Sequence, residues 1–291
     1  MIRISKLALG TVQFGIPYGV ANQRGQIGLE EAKEILITAK SAGIDTLDTA
    51  IAYGNSEQRL GEIGVSSWKV VSKLPKMPDS VSDVLYWVQE TVSGSLDRLQ
   101  LTKLYGLLLH NPEHLLQPEG RKLYDSLKIL KEKGWVDKIG ISIYSPRELD
   151  ALSNHFSFDL VQSPCNILDR NLAQSGWLER LKQSEVEIHV RSVFLQGLLL
   201  MKSEERPEKF KRWQSFWHQW DDWLHQSNIS PLQACLNYVF SLRDISKIVI
   251  GIDRLSQLEE ILNVEEINLQ IPDFIANNDS DLIYPYNWTK L

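Results

Sequence analysis

The chain has 291 residues, 43% hydrophobic and 23% charged, which fits a globular protein long enough to bury a core without staples. Its net charge of −6 argues against nucleic acid or an anionic membrane as the main partner. Two cysteines, Cys165 and Cys235, exclude a disulfide framework, no apolar run reaches membrane-spanning length, and MIRISKLALGTVQFG lacks a signal peptide's apolar core, so a cytoplasmic protein is expected.

In chain order, short apolar runs alternate with longer amphipathic ones. Leu7–Val12 predicts a first strand, and Leu29–Ala42 (LEEAKEILITAKSA) a helix stopped by Gly43. Thr46–Asp48 is a second strand, followed by a helix whose first turn carries Ser56 and Glu57. Lys69–Ser72 predicts a third strand, with a helix over Ser80–Leu99. Tyr105–Leu109 sits in the continuous apolar run LYGLLL, which suits a parallel strand covered on both faces. Helix Arg121–Lys133, strand Lys138–Ser142, helix Pro146–Leu152, strand Leu160–Gln162, helix Leu172–Lys182 and strand Glu187–Ser192 keep the rhythm. Glu208–Gln226 (EKFKRWQSFWHQWDDWLHQ) then breaks it, with four of the nine tryptophans. There Phe210, Trp213, Trp217, Trp220 and Leu224 follow helical spacing, predicting an amphipathic helix packed on the body, with a lid or oligomer contact as the functional alternative. Helix Pro231–Leu242 and strand Lys247–Ile250 complete the series, and the tail from about 264 to 291 is expected to pack outside. The alternation predicts an α/β fold, a single (β/α)8 TIM barrel over 1–291, although an open doubly wound sheet fits the same pattern.

Three consecutive predicted strands end in or near ionisable groups: Asp48 with Tyr53 in its loop, Lys73, and His110. Singly, each has a bland reading: a helix cap, a turn tyrosine, a solvated strand end, a turn histidine. Together they form one catalytic set on the rim where barrels do chemistry. Reducing a carbonyl needs a hydride donor and a proton for the growing alkoxide. A free tyrosine, with a pKa of about 10, gives up its proton reluctantly, and a nearby ammonium favours the phenolate. An aspartate keeps that lysine charged and in place, and a histidine opposite can fix the carbonyl oxygen.

The segments Asp48-Thr49-Ala50, Tyr53-Gly54, Ser56-Glu57, Leu60-Gly61, Lys73 and LLLHNP through Pro112 resemble the aldo-keto reductase family. The likeness continues through GISIYSPREL (Gly140–Leu149), VQSPCNILDR (Val161–Arg170), RSVFLQGLLL (Arg191–Leu200) and VIGIDRLSQLEEIL (Val249–Leu262). GTVQFG and SVFLQGLLL resemble a bacterial branch linked to surface-polysaccharide biosynthesis, which suggests a sugar derivative among carbonyl substrates.

The resemblance implies that Ser142 and Gln162 hold the nicotinamide carboxamide, although the usual Ser-Asn pair is Ser142-Ile143 here. Arg191 occupies the place where many relatives put an aromatic that stacks on the nicotinamide, and a guanidinium can also lie flat on a ring. Ser192 through Gly197 would pass the pyrophosphate, and the Gly251 segment would lead to the cofactor tail. Arg254 and Gln257 sit where relatives grip the 2′-phosphate, with Asp253 opposing unless it caps the following helix. Glu260-Ile261 replaces the adenine-binding Glu-Asn of many relatives. NADPH is the expected cofactor, with NADH as the alternative.

No G-x-G-x-x-G follows a strand and no P-loop motif occurs, which disfavours other nucleotide folds. No pair of histidines at i, i+4 with a nearby acid is present, so no metal site is expected. Asn166 reads equally as an active-site wall or a turn residue, and Asp169-Arg170 as an ion pair bracing its loop or as pocket lining. His189 reads as a hydrogen-bonded core histidine, and His155, His218 and His225 as surface residues. The expected function is NAD(P)H-dependent reduction of an aldehyde or ketone with Tyr53 as proton donor. The competing reading is a non-catalytic, nicotinamide-binding redox sensor.

Overall fold

Each strand alternates between two environments, and that alternation builds the molecule. The structure, a computed structural model, describes residues 3–291. Its strands are β1 (Leu7–Gly10), β2 (Thr46–Asp48), β3 (Lys69–Leu74), β4 (Leu104–Leu109), β5 (Val136–Ser142), β6 (Leu160–Pro164), β7 (Glu187–Arg191) and β8 (Lys247–Gly251). All pair in parallel and in order, and β1 meets β8 through Leu7↔Ile248 to Gly10↔Gly251, closing the barrel. The open-sheet alternative is thereby excluded.

Leu47, Leu107, Ile139, Val161, Ile188 and Ile248 face outward into the main apolar core. Val71, Leu108 and Leu160 form a separate small cluster inside the barrel. Gly140 lets β5 and β6 approach: a Cβ there would fall 1.8 Å from the Leu160 carbonyl oxygen. Below this plug lies a charged layer. Glu187 accepts from Lys138 and from Tyr105 (2.7 Å), and contacts His189 Nε2 (2.7 Å). His189 is fully buried, as expected, with its Nδ1 unpartnered.

The helices packed around the barrel are α1 (Leu29–Ser41), α2 (Ser56–Ile63), α3 (Val84–Leu99), α4 (Gly120–Glu132), α5 (Arg147–Leu152), α6 (Trp177–Gln183), α7 (Gln214–Ser227), α8 (Pro231–Ser241) and α9 (Leu255–Leu262). Several expected boundaries need correction: the helix expected over Leu172–Lys182 breaks at Gly176 into Asn171–Gln174 and Trp177–Gln183, and two others have a clear local cause. β1 stops at Gly10 because Thr11 turns both its N–H (2.9 Å) and its hydroxyl (3.1 Å) to the Asp48 carbonyl, and Val12–Gly15 coils into one helical turn. α3 starts at Val84, not Ser80, because the Asp83 carboxylate caps the Tyr86 N–H at 3.0 Å.

The Trp-rich segment is a 3-10 turn (Glu208–Trp213) running into α7, and Phe210, Trp213, Trp217, Trp220 and Leu224 are all buried. Part of that face is covered by the tail. Trp213 Nε1 donates to Asp279 (2.9 Å), Lys209 to the Trp288 carbonyl (3.0 Å), and the Phe210 and Trp288 rings meet edge to face at 4.8 Å. Farther along, the tail brings Pro285 and Tyr286 to the mouth of the principal cleft.

Candidate active site

The loop after β2 is locked from below. Ser56 Oγ donates to the Thr11 carbonyl (2.8 Å) and lies 3.2 Å from Thr49 Oγ1. Gly15 and Gly54 pass so closely that a Cβ on Gly15 would lie 1.7 Å from the Tyr53 carbonyl oxygen. Beneath them Glu57 accepts from Ser72, Ser95 and both nitrogens of an Arg98 fork, tying α2 to β3 and α3. The phenol of Tyr53 is thus carried by a rigid loop.

Lys73 points into the barrel, fully buried, and donates to Asp48 Oδ1 (2.6 Å) and the Thr49 carbonyl (2.8 Å). Burial works against its charge, but Asp48 and Tyr53 outweigh it and raise the lysine's pKa, so it stays an ammonium. That ammonium lies 5.1 Å from the Tyr53 ring centre. His110, on the far side, meets the same ring edge to face at 6.0 Å. Burial first, then Lys73 and Arg191, push His110 down to about 4, so it is neutral at pH 7 and can donate one ring N–H.

The four residues line one end of a cleft of about 1390 Å³ with Ser142, Tyr144 and Arg191. The cleft continues past Ser192–Gly197 to Asp253, Arg254, Gln257 and Glu260, with Ser230–Gln233 alongside. Gly10 and Gly251 line it without side chains, and a Cβ on Gly251 would press to 2.6 Å on the Gln13 amide. The Gln13 Oε1 atom is buried there with no partner. A long trough with a reactive end, a glycine floor, an orphaned acceptor and one guanidinium, that of Arg254, at the far end fits an extended dinucleotide.

Among the described residues no three His, Cys, Asp or Glu side chains come together as metal ligands. Among the same described residues no helix is long and apolar enough to cross a membrane. The aldo/keto reductase family model matches residues 6–279.

The chain belongs to the aldo/keto reductase family. Membership places it among NAD(P)-dependent oxidoreductases. It is 25% identical over 218 residues to aldo-keto reductase YhdN of Bacillus subtilis, a match spanning 70% of this chain and 62% of that protein. It is 23% identical to D-arabinose 1-dehydrogenase of Saccharomyces cerevisiae, covering 96% of this chain and 88% of that protein. Among solved structures, the holo form of aldo-keto reductase AKR11C1 from Bacillus halodurans matches with a TM-score of 0.73 at 17% identity, covering 94% of both chains. Glycerol dehydrogenase AKR11B4 from Gluconobacter oxydans matches with a TM-score of 0.70 at 18% identity, over 91% of this chain and 88% of that one.

The structure decides several site details of this aldo/keto reductase that the sequence left open, and corrects one, the expected Asp169–Arg170 ion pair. Gln162 is fully buried, and its amide is engaged, with Nε2 donating to Asp48 Oδ2 (2.6 Å) and Oε1 accepting from Ser142 (3.2 Å). Asp253 does not cap α9, whose N-cap is Arg254. The Asp253 carboxylate instead accepts from Asn22 (3.3 Å), while its N–H goes to the Gln257 side chain (2.8 Å). Asp169 and Arg170 form no ion pair: Asp169 accepts from Asn171, and Arg170 donates to the carbonyls of Ile167 and Pro272. Burial pushes the Asp169 carboxyl up to about 6. Asn166 is a turn residue, accepting from the Leu168 and Asp169 N–H groups and bracing the Ser192 carbonyl. His155, His218 and His225 are exposed, as expected.

Sequence reasoning missed Gln13, Tyr18, Tyr144 and Tyr286, which also line the cleft. Tyr18, Tyr144 and Tyr286 are among the exposed large hydrophobic residues, and the Tyr144 and Tyr286 rings meet at 5.1 Å. No local pattern marks them, because each rides on a loop or the tail.

Proposed function

We propose that this protein reduces an aldehyde or ketone to an alcohol, with NADPH as preferred hydride donor and NADH as the alternative, and that Tyr53 supplies the proton. The observation that carries the reading is the convergence of a phenol, a buried ammonium paired to a carboxylate, and a neutral imidazole at one end of a dinucleotide-sized cleft. The cofactor supplies the hydride. Ser142, Arg191, Ser192, Gly197, Gly251, Arg254, Gln257 and Glu260 would hold it along the cleft, with Gln162 acting from beneath. His110 donates to the carbonyl oxygen and fixes its approach. Tyr53 delivers its proton to that oxygen as negative charge grows there. Lys73 steadies the phenolate left behind, and Asp48 keeps the lysine charged. In the reverse direction the phenolate is the base.

The substrate is a small carbonyl compound. The tyrosines at the mouth suit a molecule with a flat or C–H-rich face, such as a sugar derivative. Tyr53→Phe tests the assignment. Turnover falls by about 10²–10⁴-fold while cofactor affinity stays within a factor of about two. Full activity in that variant would reject the role, whereas biological function that survived the loss of turnover would favour the redox-sensor reading.

A further inference from the structure

Arg191 is unlike the other cation of the inner cleft. β7 turns Glu187, His189 and Arg191 toward the barrel interior at alternate positions, and Arg191 comes last, at the rim. Its guanidinium donates to the Ile143 carbonyl (3.0 Å) and the Ser192 hydroxyl (3.3 Å), both neutral, and lies 4.9 Å from the Tyr144 ring centre. Among the described residues it forms no ion pair. The acids its field reaches have other partners: Glu148 accepts from the Tyr144 and Ser145 N–H groups, and Asp169 from Asn171. Lys73 is balanced by Asp48, and His110 is neutral. The reactive end of the cleft therefore carries one positive charge in excess.

We propose that Arg191 makes the cleft discriminate between the two oxidation states of its cofactor, holding the uncharged, reduced nicotinamide ring more tightly than the cationic, oxidised ring. The inference rests on the nicotinamide reading given above. A ring that passes a hydride to a carbonyl held by Tyr53 must lie beside the Tyr53–Lys73–His110 group. Arg191 acts on Lys73 and His110 across that same space. Oxidation places a positive charge on the ring, and in a half-buried cleft the excess charge around it is only partly screened. The phosphates and the adenosine are common to both forms, so they cancel from the ratio of affinities. A cleft of this kind keeps its reduced cofactor and sheds the oxidised one, which suits an enzyme working toward the alcohol.

The experiment is titration of the full chain with NADPH and with NADP⁺, followed by tryptophan fluorescence and by calorimetry. Wild type is compared with Arg191→Lys, Arg191→Gln and Ser192→Asp. The last leaves the arginine in place and supplies the missing counter-charge, at a position whose φ of 62° an aspartate tolerates. The ratio Kd(NADP⁺)/Kd(NADPH) is expected to fall about tenfold in Arg191→Gln and in Ser192→Asp, and to be retained in Arg191→Lys. General damage to the site would weaken both forms alike and leave the ratio unmoved. A ratio within about twofold of wild type in both Arg191→Gln and Ser192→Asp overturns the inference, as does its loss in Arg191→Lys. If wild type binds neither NADPH, NADP⁺, NADH nor NAD⁺, the nicotinamide reading itself fails.

Discussion

At the scale of single residues, the Asp48–Lys73 pair serves function at a cost to stability. Both groups are desolvated, and an ion pair of this kind is worth little against well-packed apolar residues, whereas breaking it is expensive. Lys73→Met leaves the Asp48 carboxylate buried and uncompensated, and the expected loss is about 3–5 kcal/mol in urea unfolding. Adding Asp48→Asn to Lys73→Met should restore most of that stability and none of the activity. Recovery of turnover in the double variant would contradict the role given to the ammonium. His110 gives a second prediction. Its folded pKa of about 4 lies below the ordinary 6.5, so the folded cleft refuses a proton that the unfolded chain accepts between those values. Stability contributed by this group therefore declines as pH falls from 6.5 toward 4, while kcat/KM keeps no acid limb near 6.5 that belongs to His110. A limb at that pH that vanishes in His110→Gln would refute the neutral assignment. The four reactive residues were legible because each lies at the C-terminal end of a strand or in the loop that follows it, where register and barrel topology fix its place. Gln162 was legible as a site residue but not in its contacts, because its partner Asp48 lies 114 positions away.

At the scale of elements, inward positions recur every second residue, and β7 shows what that places at each depth. Glu187 sits at the base, His189 in the middle and Arg191 at the rim. For Glu187 burial alone would raise the carboxyl, but hydrogen bonds from His189, Lys138 and Tyr105 bring it down to about 2. A depressed acid stabilises the fold above its ordinary value of 4.5, and the contribution is lost as pH falls toward 2. Glu187→Gln should lower stability by about 2 kcal/mol at pH 7 and flatten the acid side of the stability curve, read by thermal unfolding across pH. The tail offers a separate test. Trp288→Ala removes a buried ring from the Trp-rich segment and should cost about 3–5 kcal/mol. It should also raise KM more than it lowers kcat, since Tyr286 at the mouth loses its anchor. The Trp-rich helix was readable from its own spacing. The docking of the tail was not, because Asp279 meets Trp213 across 66 positions of intervening chain. The strand lengths were underestimated at β3, β5 and β6, where Leu74, Val136 and Pro164 extend beyond the apolar runs.

At the scale of the whole molecule, eight alternations of strand and helix were enough to propose a barrel, while closure itself waited on the pairing of β1 with β8. The length and direction of the cleft were not readable, since they depend on where separate loops and the tail end up. Its far end makes a final prediction about the cofactor. NADPH should quench tryptophan emission, and Arg254→Ala should weaken NADPH by about tenfold while leaving NADH nearly unchanged, because only NADPH carries a 2′-phosphate for that guanidinium. Equal losses for both would move Arg254 away from the 2′-phosphate. The seam between the first and last strands has a further consequence, for biosynthesis. Leu7 pairs opposite Ile248, so the first strand leaves the ribosome long before the segment that must lie beside it. Until then both edges of the growing sheet stay open to other chains. Nascent chains stalled before position 247 should therefore be aggregation-prone and depend on chaperones, and release of the last 45 residues should complete the cylinder.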